Sequence, residues 1–267
     1  MSKEHIFDLQ ATDDGLKYRL LVVQNICVGP PGNTFLFGGV GLASSISALE
    51  AATGRRLIWA TAQYLSYARP GDILDLDVTI PVAGNQISQA RVVGHVGDRE
   101  IFTVNSALGQ RDSEHEGQWA EMPEVEGPLS YPEITSWVGR HDLHDNVETR
   151  LAKGRYGEAR RTGGPSEDGQ VLIWARMRNG FPVNSGVLSI IADFVPSAAG
   201  HALGLEAGAN SLDNTIRIRR IVPSEWVLCD IRIHGIYAGF VHGRMLMFAQ
   251  DGTLMATASQ SGILRIW

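Results

Sequence analysis

Residues 38–54, GGVGLASSISALEAATG, constrain the fold most: Leu42, Ile46 and Leu49 recur at helical spacing while alanine and serine fill most other positions. A helix with so little polar surface has to be buried on nearly every side. Glycines precede it, Gly54 follows it and no proline interrupts it, which supplies a start and a stop. Four strand-like runs come next, at 57–68, 73–81, 86–96 and 100–110, punctuated by Arg69-Pro70-Gly71-Asp72, Gly84-Asn85 and Gly97-Asp98. Glycine-rich turns between short strands predict an antiparallel meander. With residues 16–23 as a leading strand, the order reads βαββββ.

That order returns in the second half, as a strand at 171–177, a helix at 186–199 and strands at 211–221, 226–235, 240–249 and 253–266. A shift of 153 residues, with no gap, places Pro70 on Pro223, Asp72 on Glu225, Arg91 on Arg244, Asp98 on Asp251, Ile101 on Leu254 and Ser106 on Ser259. Agreement of turns as well as strand faces predicts an internal duplication. An antiparallel sheet wrapped around one apolar helix is a hot-dog unit. The expected fold is therefore α+β, a double hot-dog of two βαββββ repeats, each with its sheet around a central helix, joined edge to edge. Residues 1–110 form the first repeat and 170–267 the second. Residues 111–169, rich in Glu, Gly, Pro and charge, read as a peripheral linker with one extra strand near residue 145.

Composition bounds the function. Of 267 residues 44% are hydrophobic and 19% charged, ordinary for a globular chain with its own core. Cys27 and Cys229 are the two cysteines, which excludes a disulfide framework and suits a reducing compartment. The start lacks an apolar leader and no stretch approaches the apolar run of about 18 residues that a membrane helix needs, so a cytoplasmic protein with no membrane partner is expected. A net charge of −6 argues against broad nucleic-acid binding. There is no GxSxG elbow, and Gly39, Gly41 and Ser44 lack the third glycine of a dinucleotide loop. His141, Asp142, His144 and Asp145 lack HExxH spacing, so neither metal nor cofactor is expected.

If the halves are equivalent, positions polar in one and apolar in the other mark an asymmetric site. Aligning Gly39-Val40 with Gly186-Val187 sets Asp193 opposite Ile46, and the 153-residue shift sets Gln260 opposite Ala107. A carboxylate buried in GVLSIIADFV needs hydrogen-bond donors, and burial raises its pKa toward that of a useful base. The Gln260 amide and the Ser211 hydroxyl can donate to it or orient a water. The competing reading puts Asp193 in solvent at the helix end, with Pro196 close behind, and Gln260 on a wet strand face. The residues alone leave both open.

The chain resembles the type II acyl-CoA thioesterases of the double hot-dog superfamily over about 170 residues. LFGGVGLASSISALEAA resembles that family's FGG helix, YLSYARPGD its RPGD strand, and GNQISQARVVG and EIFTVNSALGQ the two strands that follow. In the second half SLDNTIRI resembles the TxDHSxxF strand, PSEWVLCDI the NEWLLY strand, and AQDGTLMATASQSGILR the TQDGxLVASxxQEGxxR end. The resemblance implies hydrolysis of an acyl-CoA by a water held between Asp193, Ser211 and Gln260. Serine stands at 211 where the family has threonine, Ala60, Thr61 and Ala62 replace an HS pair, and Asn214-Thr215 replaces histidine-serine. The glycine-led helix start makes Gly38 and Gly39 candidate oxyanion or substrate donors. Arg55, Arg56, Arg217, Arg219 and Arg220 are candidate partners for the CoA phosphates. Family habit implies a homo-oligomer. The alternative is a catalytically degenerate hot-dog that binds an acyl-CoA or lipid-like ligand without turnover. A hydratase requires a histidine on or beside a central helix, and neither helix carries one.

Overall fold

The computed structural model describes residues 6–135, 139, 141–157 and 163–267. The first half begins with β1 (Leu9–Ala11), β2 (Lys17–Leu21) and a two-stranded ribbon of β3 (Cys27–Val28) and β4 (Phe35–Leu36). Then follow α1 (Gly38–Thr53), β5 (Leu57–Tyr64), β6 (Ile73–Ala83), β7 (Ile87–Val96) and β8 (Arg99–Gly109). As its composition demands, α1 buries Val40, Leu42, Ile46 and Leu49 completely. Its serines are accommodated by bonding back along the helix: Ser44 and Ser45 donate to the Gly41 carbonyl, each at 2.9 Å, and Ser47 to that of Ala43 at 3.0 Å. Gly54 ends it in the left-handed conformation at φ 65°.

The second half runs β9 (Val147–Lys153), β10 (Gln170–Met177), α2 (Ser185–Ala192), α3 (Ala199–Leu203), β11 (Ala207–Ser211), β12 (Asp213–Ile218), β13 (Val227–Tyr237), β14 (Phe240–Ala249) and β15 (Leu254–Ile266). The continuous helix expected over 186–199 is interrupted. Asn184 caps α2 by accepting from Val187 N–H at 2.8 Å, but the helix stops at Ala192 and a 3-10 turn, Val195–Ala198, separates it from α3. Pro196 has no N–H to return to the carbonyl of Ala192, so the α ladder cannot continue. The apolar segment Ser185–Leu203 is 19 residues long and could cross a membrane by length and composition; 83% of its most apolar stretch is buried inside this fold.

Among the described residues thirteen strands form one antiparallel sheet, in the order β1-β2-β6-β7-β8-β5-β12-β15-β14-β13-β10-β9, with β11 also on β15. The halves join at β5 and β12, where Thr61 faces Thr215 and their hydroxyls hydrogen-bond. Strand registers agree between the halves through β6–β7 and β13–β14: Asp77 faces Val93, and 153 residues on Asp230 faces Leu246. The next hairpin corrects the ungapped alignment. Val96 pairs with Arg99 around two residues, Gly97 and Asp98, whereas Ala249 bonds to Thr253 around three. Beyond that turn β15 runs one residue later: Ser106 faces Ala90 and Gln260 faces Gly243. The structural counterpart of Gln260 is therefore Ser106, not Ala107. Burial agrees, since Phe102, Val104, Ser106 and Leu108 point inward on β8 as Ala256, Ala258 and Gln260 do on β15, and a one-residue slip reverses every face.

The linker does more than lie at the periphery. Ala120, Met122, Val125 and Tyr131 cover a second apolar cluster of Leu172, Trp174, Trp226, Leu228, Phe248 and Leu254. The strand expected near 145 is β9, at the sheet edge against β10. Parts of the linker, 136–138, 140 and 158–162, lie outside the described residues, as do residues 1–5 of the chain start.

One wedge seats α1 on its sheet. The Phe102 ring fills the space above two glycines, so that a Cβ on Gly41 would lie 2.8 Å from it and one on Gly94 only 2.5 Å. Phe102 is 1% exposed and has no room to yield. Gly94→Ala is expected to cost about 1–3 kcal/mol by overpacking, read in thermal unfolding as a Tm loss of roughly 2–4 °C per kcal/mol.

Candidate active site

Asp193 caps the C-terminus of α2 with φ −82° and ψ 14°, and is 7% exposed. Of the two readings left open by the sequence, the buried one describes the structure. Its Oδ1 accepts from the Ser211 hydroxyl at 3.2 Å and from Gln260 Nε2, and Gln260 Nε2 also lies 3.3 Å from Ser211 Oγ. Ser211 arrives at the end of β11, and Gln260, 4% exposed, on the inward face of β15. Asp193, Ser211 and Gln260 are thus one connected group. A fourth member comes from the other half: Gly39 N–H donates to Asp193 Oδ2 at 2.7 Å, which sets the carboxylate on the positive end of α1.

This bond revises the expectation for the glycines. The Gly39 amide is engaged by the carboxylate in this state, so it does not stand free as an oxyanion donor. Gly38 contributes space. A Cβ there would lie 2.8 Å from Asp193 Oδ2, 2.9 Å from Tyr64 Cζ and 3.0 Å from the Tyr64 hydroxyl. Gly39 is equally confined, with Ile190 O 2.8 Å from where its Cβ would stand.

Burial pushes the Asp193 pKa up to about 6, while the hydrogen bonds from Gln260, Gly39 and Ser211 pull it down. Beside it opens a small cavity of about 50 Å³ lined by Phe37, Ile134, Leu143, Val147, Tyr156 and Phe194, with His144, Thr149 and Ser197 as polar breaks. Phe37 and Phe194, ring centroids 6.2 Å apart, directly precede α1 and follow Asp193. The wall from Ile134 to Tyr156 belongs to the linker, which the sequence had left without a role at the site.

Two further polar residues face this group and were not singled out as site residues from the sequence. Tyr64 closes β5 on the inward face shared by Ala60 and Ala62, and Asn214, fully buried, lies on β12 opposite Ala62. Period-2 reading of β5 could have flagged Tyr64 as a polar end to an otherwise small inward row. The arginine candidates are scattered among other duties: Arg55 donates to the carbonyls of Gly84 and Asn85, Arg219 to that of Gly117, and Arg220 pairs with Glu116 at 3.4 Å. Arg56 and Arg217 are exposed. Asp142 and His144 hydrogen-bond each other at 2.9 Å, and no cluster of three metal-ligating residues occurs among the described residues.

Residues 118–264, more than half of the chain, match the family model for the acyl-CoA thioesterase C-terminal domain. The chain belongs to the acyl-CoA thioesterase family. A solved structure of an inferred thioesterase from Novosphingobium aromaticivorans is 32% identical, covers 96% of this chain and 98% of its own, and superposes with a TM-score of 0.86. Two more distant structures share the fold: a hot-dog protein from Alicyclobacillus acidocaldarius (16% identity, 97% and 96% coverage, TM-score 0.83) and the acyl-CoA thioesterase II TesB2 of Mycobacterium marinum (18%, 100% and 98%, 0.76). No curated protein matches the chain.

The raised pKa has a consequence for stability. Between an ordinary 3.8 and about 6 the folded protein holds a proton on Asp193 that the unfolded chain has released, so stability falls as pH rises through this window and levels off above it. At about 1.4 kcal/mol per pKa unit the loss is on the order of 3 kcal/mol. Asp193→Asn, which never carries the charge, is expected to be the more stable protein at pH 8 and equal to wild type near pH 4, by urea unfolding at both pH values.

Proposed function

We propose that the chain hydrolyses an acyl-CoA thioester to a free acid and CoA, with Asp193 as general base. What carries this reading is a buried carboxylate of raised pKa, joined to Ser211 and Gln260, at the wall of an apolar cavity. Gln260 gives its Nε2–H to Asp193, and its buried Oε1 has no partner among the described residues. A water placed between them gives one hydrogen to Gln260 Oε1 and the other to Asp193, which turns a lone pair toward the cavity. Ser211 holds Asp193 Oδ1 from the other side.

In the reaction the water oxygen bonds to the thioester carbon as Asp193 takes its proton, and the carbonyl π pair moves to oxygen. Collapse of that tetrahedral species re-forms the C=O bond and breaks C–S, and the proton passes from Asp193 to the departing sulfur. Once protonated, Asp193 holds the Gly39 amide less firmly, and that N–H becomes available to the negative oxygen. The acyl chain takes the cavity between Phe37, Leu143 and Phe194. As part of the same proposal, residues 1–110 and 170–267 are two copies of one hot-dog unit that diverged around a 111–169 linker, and the two buried, unpaired cysteines suit the reducing cytoplasm.

Thiol release from short, medium, long and aromatic acyl-CoAs tests the reading. Asp193→Asn is expected to lower kcat by about 10²–10⁴ while the protein stays folded. The wild-type kcat/KM should climb roughly tenfold per pH unit up to about 6 and then level, as a base that must be ionised requires. Undiminished turnover in folded Asp193→Asn would sink the assignment, and binding without turnover in wild type would mark a degenerate binder.

A further inference from the structure

Several buried polar atoms around Asp193 have no hydrogen-bond partner among the described residues: Gln260 Oε1, Tyr64 Oη, and Nδ2 and Oδ1 of Asn214. The water proposed above accounts for the first. An unpartnered buried hydroxyl or amide costs roughly 1–3 kcal/mol, so Tyr64 and Asn214 call for an explanation that the hydrolytic group alone does not give.

Their placement supplies it. Tyr64 is held at the end of β5 by its own N–H, which donates to the Leu212 carbonyl at 3.0 Å across the junction of the two halves. Asn214 sits diagonally across on the same inward face, next to Ala62. The Tyr64 hydroxyl and Asp193 Oδ2 both close on Gly38, 3.0 and 2.8 Å from where its Cβ would stand, a point too crowded even for a methyl group. Base and phenol therefore stand side by side over the first turn of α1, so that a group in reach of one is in reach of the other. Burial, with the nearby Asp193 charge, lifts the phenol pKa well above its usual range, while Asn214 pulls the other way; the hydroxyl stays a donor.

We propose that Tyr64 is a further catalytic residue, its hydroxyl donating a hydrogen bond to the thioester carbonyl oxygen, with Asn214 as the positioning residue that orients it. This rests on the hydrolytic reading. The Tyr64 O–H bond stays intact throughout: its hydrogen bond strengthens as the carbonyl oxygen gains the π pair and relaxes when that pair returns on C–S cleavage. The Asn214 amide donates to Tyr64 Oη in the loaded site, which leaves the phenol proton for the substrate.

The test is Tyr64→Phe, which removes one oxygen. Expected are a kcat loss of about 10²-fold, a KM raised no more than about tenfold, and a Tm close to wild type, since the hydroxyl gives up at most its bond with Asn214. Asn214→Ala should also lower kcat, yet change little further in the Tyr64→Phe background. Full kcat in Tyr64→Phe, or a kcat loss explained by a fallen Tm, overturns the proposal. Binding provides a readout that needs no turnover, with an S-(2-oxoalkyl)-CoA ketone and an S-alkyl-CoA that lacks the carbonyl. Tyr64→Phe should weaken the ketone about three- to tenfold and leave the thioether alone; equal effects on both overturn it. If wild type cleaves no thioester, the hydrolytic reading fails by itself, and the ketone-against-thioether comparison still decides whether Tyr64 meets a carbonyl.

Discussion

The bond from Gly39 N–H to Asp193 Oδ2, at 2.7 Å, is the interaction on which the rest of this structure turns. It ties the first turn of α1 to the last turn of α2, and so joins one half of the chain to the other at the carboxylate itself. The two helix ends act on Asp193 in opposite senses. The C-terminus of α2 presents carbonyl oxygens, which disfavour an anion, and the N-terminus of α1 presents amides, which favour one. Burial decides between them, and the group ends above its ordinary pKa. A lone carboxylate in the same apolar setting would simply remain protonated; the three donors keep it ionisable near neutral pH.

The opposite end of the helix pair shows what the same geometry becomes without that balance. There Glu50 approaches the start of α2, but its Oε2 accepts from the Ser185 hydroxyl at 2.9 Å and its Oε1 from Leu57 N–H at 2.9 Å. Both oxygens are occupied by the protein, and Glu50 serves as a brace between α1, α2 and the entry to β5. On β8 the counterpart of Gln260 is Ser106, whose hydroxyl closes on the Ala90 carbonyl of the neighbouring strand at 2.9 Å. A short hydroxyl satisfies itself locally. A long amide reaches across the layer to the helix, and that difference in reach joins Gln260 to a buried carboxylate at one end of the molecule and leaves Ser106 satisfied by its own sheet at the other.

The sequence made the strands legible because their faces alternate and their turns are marked by glycine; β14 occupies 240–249 as read. The triad of Asp193, Ser211 and Gln260 was legible too, through resemblance more than through spacing, since three residues from α2, β11 and β15 share no local pattern. What could not be read has physical causes. An ungapped alignment passes over one extra residue in the turn at 250–252, yet that residue reverses the faces of the whole following strand, which is why Ala107 stood in for Ser106. The break of α2 at Ala192 follows from Pro196 four residues on, but a run as apolar as VLSIIADFV hides it. The Gly39 contact is made by backbone, and backbone leaves no signature in residue type. The linker wall of the cavity was missed for a similar reason: charge and glycine describe a surface segment, and it is the intervening Leu143 and Val147 that turn inward.

Among the described residues, four of the nine buried polar side-chain atoms without a hydrogen-bond partner belong to Tyr64, Asn214 and Gln260. Most buried side chains in this fold are either apolar or satisfied within a turn of where they arise, as the α1 serines are. Around Asp193 the pattern reverses, with a buried charge, a phenol, an amide and a glutamine carbonyl facing one another across the β5–β12 junction. A sequence under pressure for stability alone would replace Tyr64 with phenylalanine and Asn214 with leucine at little geometric cost. Local rules of folding are broken here together, the pattern expected where residues serve a role besides stability. On the proposed reading the hydrogen-bond demand of these groups is met by a water that gives one hydrogen to Gln260 Oε1 and one to Asp193, and by a carbonyl oxygen that accepts from Tyr64.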